Sequence, residues 1–343
     1  MTISRREMLA LAANVSIASV AGGFILPHPA EAQGATIRVG TFGGTDPQNY
    51  ARATGDIGKA LGDGAKADYV TVRAGSEVIS AIAGNSLDLC NIGSSPMVVG
   101  YANGVKLSMV WVYKSIIDSE CLAVRNGKGI DSVADLKGKT LALPFNTSVH
   151  FAALAAMKSA GLGLNDVKLL NMRADQILPA WQRKDIDAAY IWVPVLPRLV
   201  EDDGKIIFKT GDLRTKTGLV VFDALVVRDA FKTEQPQLLQ RFLAEIQRLS
   251  VLFKQDPKQV LGTMTKFLSA DEAVVQRSLD TFYPVPVAEM LTDTWMGAPG
   301  AKDSGVLRSL KAQAEFLKDS GQINAMPADL GGLVDSSFAA KLA

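Results

Sequence analysis

The sequence of 343 residues is poor in the residues that build metal and catalytic sites. It contains two histidines and two cysteines, which are too few and too widely spaced for the usual metal-binding motifs. No phosphate-binding loop and no Ser-His-Asp arrangement can be recognised in it. The sequence therefore argues against an enzyme, and it predicts neither a cofactor nor a metal.

An excess of charge of either sign is also missing. The chain has 36 Lys and Arg residues against 35 Asp and Glu residues, with no basic stripe. Nucleic acid is therefore not expected as a partner. Hydrophobic residues make up 48% of the chain and charged residues 21%, which is typical of a globular protein, and the length suits two lobes.

The two cysteines have apolar surroundings in the sequence. Cys90 and Cys121 each lie in a strand-like run, which favours buried free thiols. A disulfide between them is the alternative, because the chain is expected to be exported.

The first 32 residues are typical of an export signal. Arg5 and Arg6 precede an apolar stretch, residues 10–26, and the Ala-Glu-Ala of residues 30–32 is a small-x-small cleavage site. The adjacent arginines favour the twin-arginine route, with a general secretory signal as the alternative. Glycine and proline interrupt the apolar stretch, which argues against a membrane anchor. We expect a mature protein that begins near Gln33 and resides in the periplasm.

Strand-like and helix-like segments alternate at short spacing from residue 36 to about residue 210. This order predicts an α/β fold with parallel strands, in which ligands bind beyond the carboxyl ends of the strands. After Val227 the pattern becomes helical, and residues 231–253 are predicted to form one amphipathic helix.

Two polar segments each lead from a predicted strand into a predicted helix. The first is Asn-Ile-Gly-Ser-Ser-Pro at residues 91–96, where Ser94 is predicted to cap the helix and Pro96 suits its first turn. The second is Asn-Thr-Ser-Val-His at residues 146–150. A helix start presents free N–H groups and a positive dipole end, so each segment could bind an anion. For the first segment, an ordinary capped turn is the alternative.

Several segments together resemble the taurine-binding periplasmic proteins of ABC importers, within the wider nitrate, sulfonate and taurine solute-binding group. The similarity extends in order over nearly the whole predicted mature chain. It is carried by Gly75 and residues 87–96, 118–120, 136–145, 180–194 and 314–321.

The resemblance implies a type II periplasmic binding protein. Two α/β lobes would be joined by two crossing strands and would close on a solute held in the cleft. Lobe 1 would comprise residues 33–125 and 223–343, and lobe 2 residues 126–222, with residues 120–125 and 224–228 as the crossing strands. The partners implied are a small solute and an ABC permease in the inner membrane, and the protein is expected to be a monomer.

A sulfonate has three acceptor oxygens and stays ionised, so it suits hydroxyl and backbone N–H donors. The expected sulfonate-binding residues are Ser94, Ser95, Thr147, Ser148 and His150. For His150, packing against its own helix is an equal alternative.

A taurine-like solute also carries an ammonium group. Glu120 and Asp223 correspond to acidic residues of the related proteins and are the expected partners of the ammonium. A structural ion pair is the alternative for each of the two residues. The ring of Trp192 could contact the ammonium, with core packing as its alternative.

Two segments depart from the family pattern. Residues 41–45 replace a polar, glutamine-containing loop, and residues 213–221 lack a Trp-Gly element. The solute could therefore be another sulfonate or small anion, such as an alkanesulfonate, hypotaurine or a nitrate-like ion. An enzyme of the thiamine-pyrimidine-synthesis type is a less favoured alternative, because its cysteine-rich motif is missing from this sequence.

Overall fold

The structure is a computed structural model that describes residues 34–62 and 64–343. The predicted export signal, residues 1–32, lies outside the described residues. In the described part of the chain, ten strands form two five-stranded mixed sheets. The strands are β1 (Thr36–Thr41), β2 (Lys66–Thr71), β3 (Leu89–Gly93), β4 (Leu107–Ser115), β5 (Glu120–Arg125), β6 (Thr140–Leu143), β7 (Lys168–Asn171), β8 (Ala188–Trp192), β9 (Gly204–Lys209) and β10 (Phe222–Arg228).

The two sheets have the same arrangement. The first has the strand order β2-β1-β3-β10-β4, and the second has the order β7-β6-β8-β5-β9. In the first sheet β1 runs parallel to β2 and β3, while β10 is antiparallel to β3 and β4. In the second sheet β6 runs parallel to β7 and β8, while β5 is antiparallel to β8 and β9. The predicted α/β fold with parallel strands is confirmed.

Each antiparallel strand arrives from the other half of the chain. The chain passes from β4 in the first sheet to β5 in the second, and it returns from β9 to β10. Both β5 and β10 are hydrogen-bonded on two sides, so the crossings lie in the segments before them, residues 116–119 and 210–221. The proposed division at residue 125 assigns β5 to lobe 1, whereas its hydrogen bonds are made within the second sheet.

Fifteen α-helices occur in the described ranges. They are α1 (Pro47–Thr54), α2 (Asp56–Ala60), α3 (Gly75–Ala83), α4 (Ser94–Ala102), α5 (Ser148–Ser159), α6 (Ala174–Gln182), α7 (Val195–Glu201), α8 (Asp212–Thr217), α9 (Asp229–Glu234), α10 (Pro236–Gln255), α11 (Pro257–Leu268), α12 (Glu272–Asp280), α13 (Val287–Met290), α14 (Gly305–Asp319) and α15 (Ser337–Ala340).

Local chemistry explains several helix ends. Asp46 caps α1 by accepting a hydrogen bond from the backbone N–H of Asn49, and Pro47 occupies the first turn. The single helix predicted for residues 231–253 is wrong: Pro236 ends α9 and begins α10, because proline lacks the N–H that a continuous helix requires.

The first sheet is covered by one large core, and the second sheet has a separate core on each face. Cys90 and Cys121 are buried free thiols, as expected. No helix among the described residues is long and apolar enough to cross a membrane.

Candidate functional site

The direction of the strands determines where the predicted acidic residues lie. Because β10 runs antiparallel to β3, its first residues lie at the carboxyl end of β3, and Asp223 pairs in register with Gly93. In the same way, Glu120 begins β5 and pairs in register with Trp192 at the end of β8. Each carboxyl group therefore lies on the side of its sheet where the parallel strands have their carboxyl ends. An α/β protein binds its ligands on this side.

Asp223 forms an ion pair, which was the alternative for it in the sequence, with a lysine that the sequence did not identify as its partner. Lys114, near the end of β4, lies opposite Asp223 in the first sheet, and its Nζ is 3.3 Å from Asp223 Oδ2. The two side chains are 28% and 20% exposed, so neither is sealed in the core. Burial acts to lower the pKa of Lys114, but the charges of Asp223 and Glu120 outweigh it and raise this pKa.

Asp46 is a further acidic group near this lysine. Its carboxylate accepts hydrogen bonds from the Asn49 backbone, at 3.0 Å, and from the Tyr113 hydroxyl, at 2.9 Å. Burial raises the pKa of Asp46, although these bonds oppose the shift. Its charge contributes to the raised pKa of Lys114.

The start of α4 differs from the prediction in one detail. Gly93 occupies the capping position, and Ser94 is the first helical residue, so the prediction that Ser94 caps this helix is wrong. Its hydroxyl is fully buried, and within residues 34–62 and 64–343 it has no hydrogen-bond partner. The neighbouring hydroxyl of Ser95 donates to Gln313 Oε1 on α14, at 2.9 Å.

Glu120 is buried with its two carboxyl oxygens in different situations. Oε1 accepts a hydrogen bond from the Ser148 hydroxyl at 2.6 Å, whereas no group in the described part of the chain pairs with Oε2. Burial raises the pKa of Glu120 to about 7; the Ser148 hydrogen bond opposes the shift and the charge of Asp223 adds to it. This carboxyl can therefore gain or lose a proton near neutral pH.

The second helix start is less open than expected. Thr147 is the N-cap residue of α5, and its hydroxyl donates to the carbonyl of Pro144 at 2.7 Å. His150 is buried, and its Nδ1 accepts a hydrogen bond from the Asn146 N–H. Because burial lowers its pKa to about 4, His150 is neutral at pH 7.

Aromatic packing fixes the position of His150. Its ring stacks on Phe145, with 4.2 Å between centroids, and makes an edge contact with Phe316 of α14 at 5.1 Å. Both rings lie outside α5, so His150 packs against neighbouring segments and not against its own helix. Trp192, the remaining predicted residue, is half-buried and packs against both cores of the second sheet.

Helix α14 contacts the starts of both α4 and α5. Gln313 holds Ser95 at the start of α4, and Phe316 contacts His150 in the first turn of α5. Helices α4 and α5 also contact each other directly. The starts of α4 and α5 thus lie close together.

Three polar residues at this edge were missed by sequence reasoning: Lys114, Asp46 and Gln48. Lys114 ends the apolar run of β4, and a charge at the end of a buried strand is a usable signal. Gln48 is 1% exposed, and its side-chain amide finds no partner among the residues described. Among the same residues, no cluster of three or more His, Cys, Asp or Glu side chains could hold a metal ion.

Comparison with known proteins identifies the family. A family model described as NMT1/THI5 like matches residues 63–260, which is more than half of the chain. The chain belongs to this family. The taurine-binding periplasmic protein of Escherichia coli (strain K12) is 31% identical over 212 residues, covering 62% of this chain and 64% of that protein. The match thus spans slightly less than two thirds of that relative's length.

Solved structures agree on the fold. The periplasmic aliphatic sulphonate binding protein SsuA from Escherichia coli superposes with a TM-score of 0.74 over 85% of this chain and 94% of that one, at 21% identity. The alkanesulfonate-binding protein SsuA from Xanthomonas axonopodis pv. citri, bound to MOPS, gives a TM-score of 0.72 over 88% and 99%, also at 21% identity. This chain therefore has the fold of periplasmic binding proteins.

Proposed function

We propose that this protein is the solute-binding component of an ABC importer for taurine or a related small aminosulfonate. A single observation carries the proposal: groups suited to both ends of an aminosulfonate meet at one edge of the fold. Ser94 offers a buried hydroxyl without a partner in the described chain, at the start of α4, and Glu120 offers a buried carboxyl oxygen in the same situation.

The sulfonate would be bound by the two helix starts. Ser94, Ser95, Thr147 and Ser148 contribute backbone N–H groups and hydroxyls, and each helix dipole favours an anion by about 0.3–1 kcal/mol. Three of the four hydroxyls already have acceptors: Ser95 donates to Gln313, Thr147 to Pro144 and Ser148 to Glu120. The hydroxyl of Ser94 is therefore the first candidate for direct contact, and the others would act chiefly through their backbone.

The ammonium would be bound by the acidic side chains between the helix starts. Glu120 and Asp223 are the proposed partners, and the half-buried ring of Trp192, opposite Glu120 in the sheet, would contact the same group. A cation over an indole ring contributes about 0.5–2 kcal/mol.

The relatives support this role. The taurine-binding protein of Escherichia coli and the two SsuA proteins are binding proteins by name, which favours a carrier over an enzyme. We further propose that the chain is exported to the periplasm by its twin-arginine signal, acts as a monomer and delivers the solute to an inner-membrane permease.

The test is a thermal-shift and calorimetric panel of taurine, hypotaurine, ethanesulfonate, sulfate and nitrate. Taurine should raise the melting temperature most, and Glu120→Ala should weaken its binding by about 2–5 kcal/mol, because the ammonium loses a buried partner. If no sulfonate binds, the proposed function is wrong. If ethanesulfonate binds as tightly as taurine, the protein carries alkanesulfonates instead.

A further inference from the structure

The ion pair between Lys114 and Asp223 has a place in the site that stability alone does not explain. Its side chains are partly exposed at the solute-facing edge of the first sheet, where an ion pair contributes little to folding. Lys114 is also the cation that faces an excess of acidic groups. In the described chain, the charges of Asp223, Glu120 and Asp46 all act on it.

The three carboxyl groups are not equivalent. Asp46 is already occupied by hydrogen bonds from Asn49 and Tyr113. Asp223 is paired with Lys114 at 3.3 Å. Glu120 has one oxygen bonded to Ser148, and the second oxygen lacks a partner in the part of the chain described. Of the three carboxyl groups, Glu120 is thus the one with an oxygen that neither a cation nor a hydrogen-bond donor of the described residues contacts.

We propose that Lys114 determines which charges the site selects in a solute. Lys114 neutralises Asp223, so the site accepts a solute that carries one cationic group and one anionic group. This inference rests on the proposed function and adds a residue and a charge rule to it. Lys114 attracts the anionic end of the solute and repels a surplus of cations. Asp223 has the opposite effect, since removing it would leave the lysine charge unpaired.

The rule predicts opposite effects for two substitutions of the same ion pair. Lys114→Met leaves Asp223 unpaired, so cations should gain and anions should lose affinity. Asp223→Asn leaves Lys114 unpaired, so the preference should reverse. At a separation of a few ångströms near a protein surface, one unit charge is worth at least about 1.4 kcal/mol, which corresponds to about tenfold in affinity.

Three solutes of nearly equal size distinguish the contributions of the cationic and the anionic group to binding. Taurine carries an ammonium and a sulfonate, isethionate replaces the ammonium by a hydroxyl, and ethanolamine replaces the sulfonate by a hydroxyl. Calorimetry at low ionic strength should give the ratio of the isethionate and ethanolamine dissociation constants for each variant. Because the two dissociation constants change about tenfold each and in opposite directions, we expect this ratio to rise about 100-fold in Lys114→Met and to fall about 100-fold in Asp223→Asn. Lys114→Arg keeps the positive charge and should therefore give the wild-type ratio.

The possible outcomes separate this inference from the proposed function. If wild type binds taurine and Lys114→Met weakens all three solutes equally, or changes none, Lys114 is a structural residue and the inference is overturned. If wild type binds none of the three, the proposed function fails first. A melting curve for each variant identifies any that does not fold, and Lys114→Gln then replaces Lys114→Met.

Discussion

The hydroxyl of Ser148 donates a hydrogen bond to Glu120 Oε1 at 2.6 Å. It joins a residue expected to bind the sulfonate to a residue expected to bind the ammonium. The bond holds the start of β5 against the first turn of α5, so the carboxyl is oriented before any solute arrives. The other oxygen of Glu120 has no partner among the described residues.

The first prediction concerns the pH dependence of stability. The pKa of Glu120 is about 7 in the folded protein and about 4.5 when unfolded, chiefly because the carboxyl is buried. Between these values the folded state holds a proton that the unfolded state has released. The contribution of Glu120 to the free energy of unfolding should therefore fall as pH rises from about 4.5 to 7, and above pH 7 this loss should be complete.

Glu120→Gln is the matched variant, because its amide oxygen can still accept from Ser148. Denaturant unfolding of both proteins at pH 5 and pH 8 should show similar stability at pH 5 and a more stable variant at pH 8. A difference that does not change with pH would contradict the assignment. His150 titrates over part of the same range with the opposite sign, because burial lowers its pKa from 6.5 to about 4, but both proteins retain His150 and its contribution cancels in the comparison.

The second prediction separates the two adjacent serines of α4. Ser94→Ala removes a buried hydroxyl that bonds to nothing in the described chain, so the free energy of unfolding should stay within about 0.5 kcal/mol of wild type. Its affinity for taurine should fall about 10- to 150-fold, because a hydrogen bond to a charged group is worth about 1.5–3 kcal/mol. Calorimetry and urea unfolding measure the two quantities.

Ser95→Ala is the control for Ser94→Ala. It leaves Gln313 Oε1 without its donor and should lower the free energy of unfolding by about 1–3 kcal/mol. Its effect on taurine affinity should be the smaller of the two. The reverse pattern would show that Ser95, not Ser94, contacts the solute.

The third prediction concerns how closely two helix starts approach each other. A Cβ atom added at Gly75, the first residue of α3, would lie 2.6 Å from Cβ and Cγ of Pro96 in α4. Gly75→Ala should therefore displace α4 and lower the free energy of unfolding by about 1–3 kcal/mol, with weaker solute binding. Urea unfolding monitored by circular dichroism would measure this change in the free energy of unfolding.

Gly58 provides the comparison for that substitution. It lies inside α2, and an added Cβ there meets no described atom within 4 Å. Gly58→Ala should raise the free energy of unfolding by about 0.4–1 kcal/mol, because it reduces the entropy of the unfolded chain. Equal effects of the two substitutions would exclude a steric role for Gly75.

The fourth prediction tests the ring of Trp192. If the indole contacts the ammonium, Trp192→Leu should weaken taurine binding more than isethionate binding, by about 0.5–2 kcal/mol, and Trp192→Phe should retain most of the difference. Calorimetry with both solutes measures the selectivity. Loss of stability with unchanged selectivity would assign Trp192 to the core alone.

Local patterns in the sequence determined much of this protein. Alternating strands and helices predicted the α/β fold, since the periodicity of apolar residues reports which face of each segment is buried. The polar segments at residues 91–96 and 146–150 marked the two helix starts, because such residues are preferred where a helix begins. The break at Pro236 was also present in the sequence, although the amphipathic pattern on both sides concealed it.

Only the tertiary structure decided which groups pair. Lys114 meets Asp223 because β10 returns from the second sheet and inserts between β3 and β4, and Ser95 meets Gln313 across 218 residues of chain. Such partners depend on strand order and register, which a local pattern does not encode. The sequence could therefore name Ser94, Glu120 and Asp223, but the hydrogen bonds and the ion pair that distinguish their roles arise from the way the chain crosses between its two sheets.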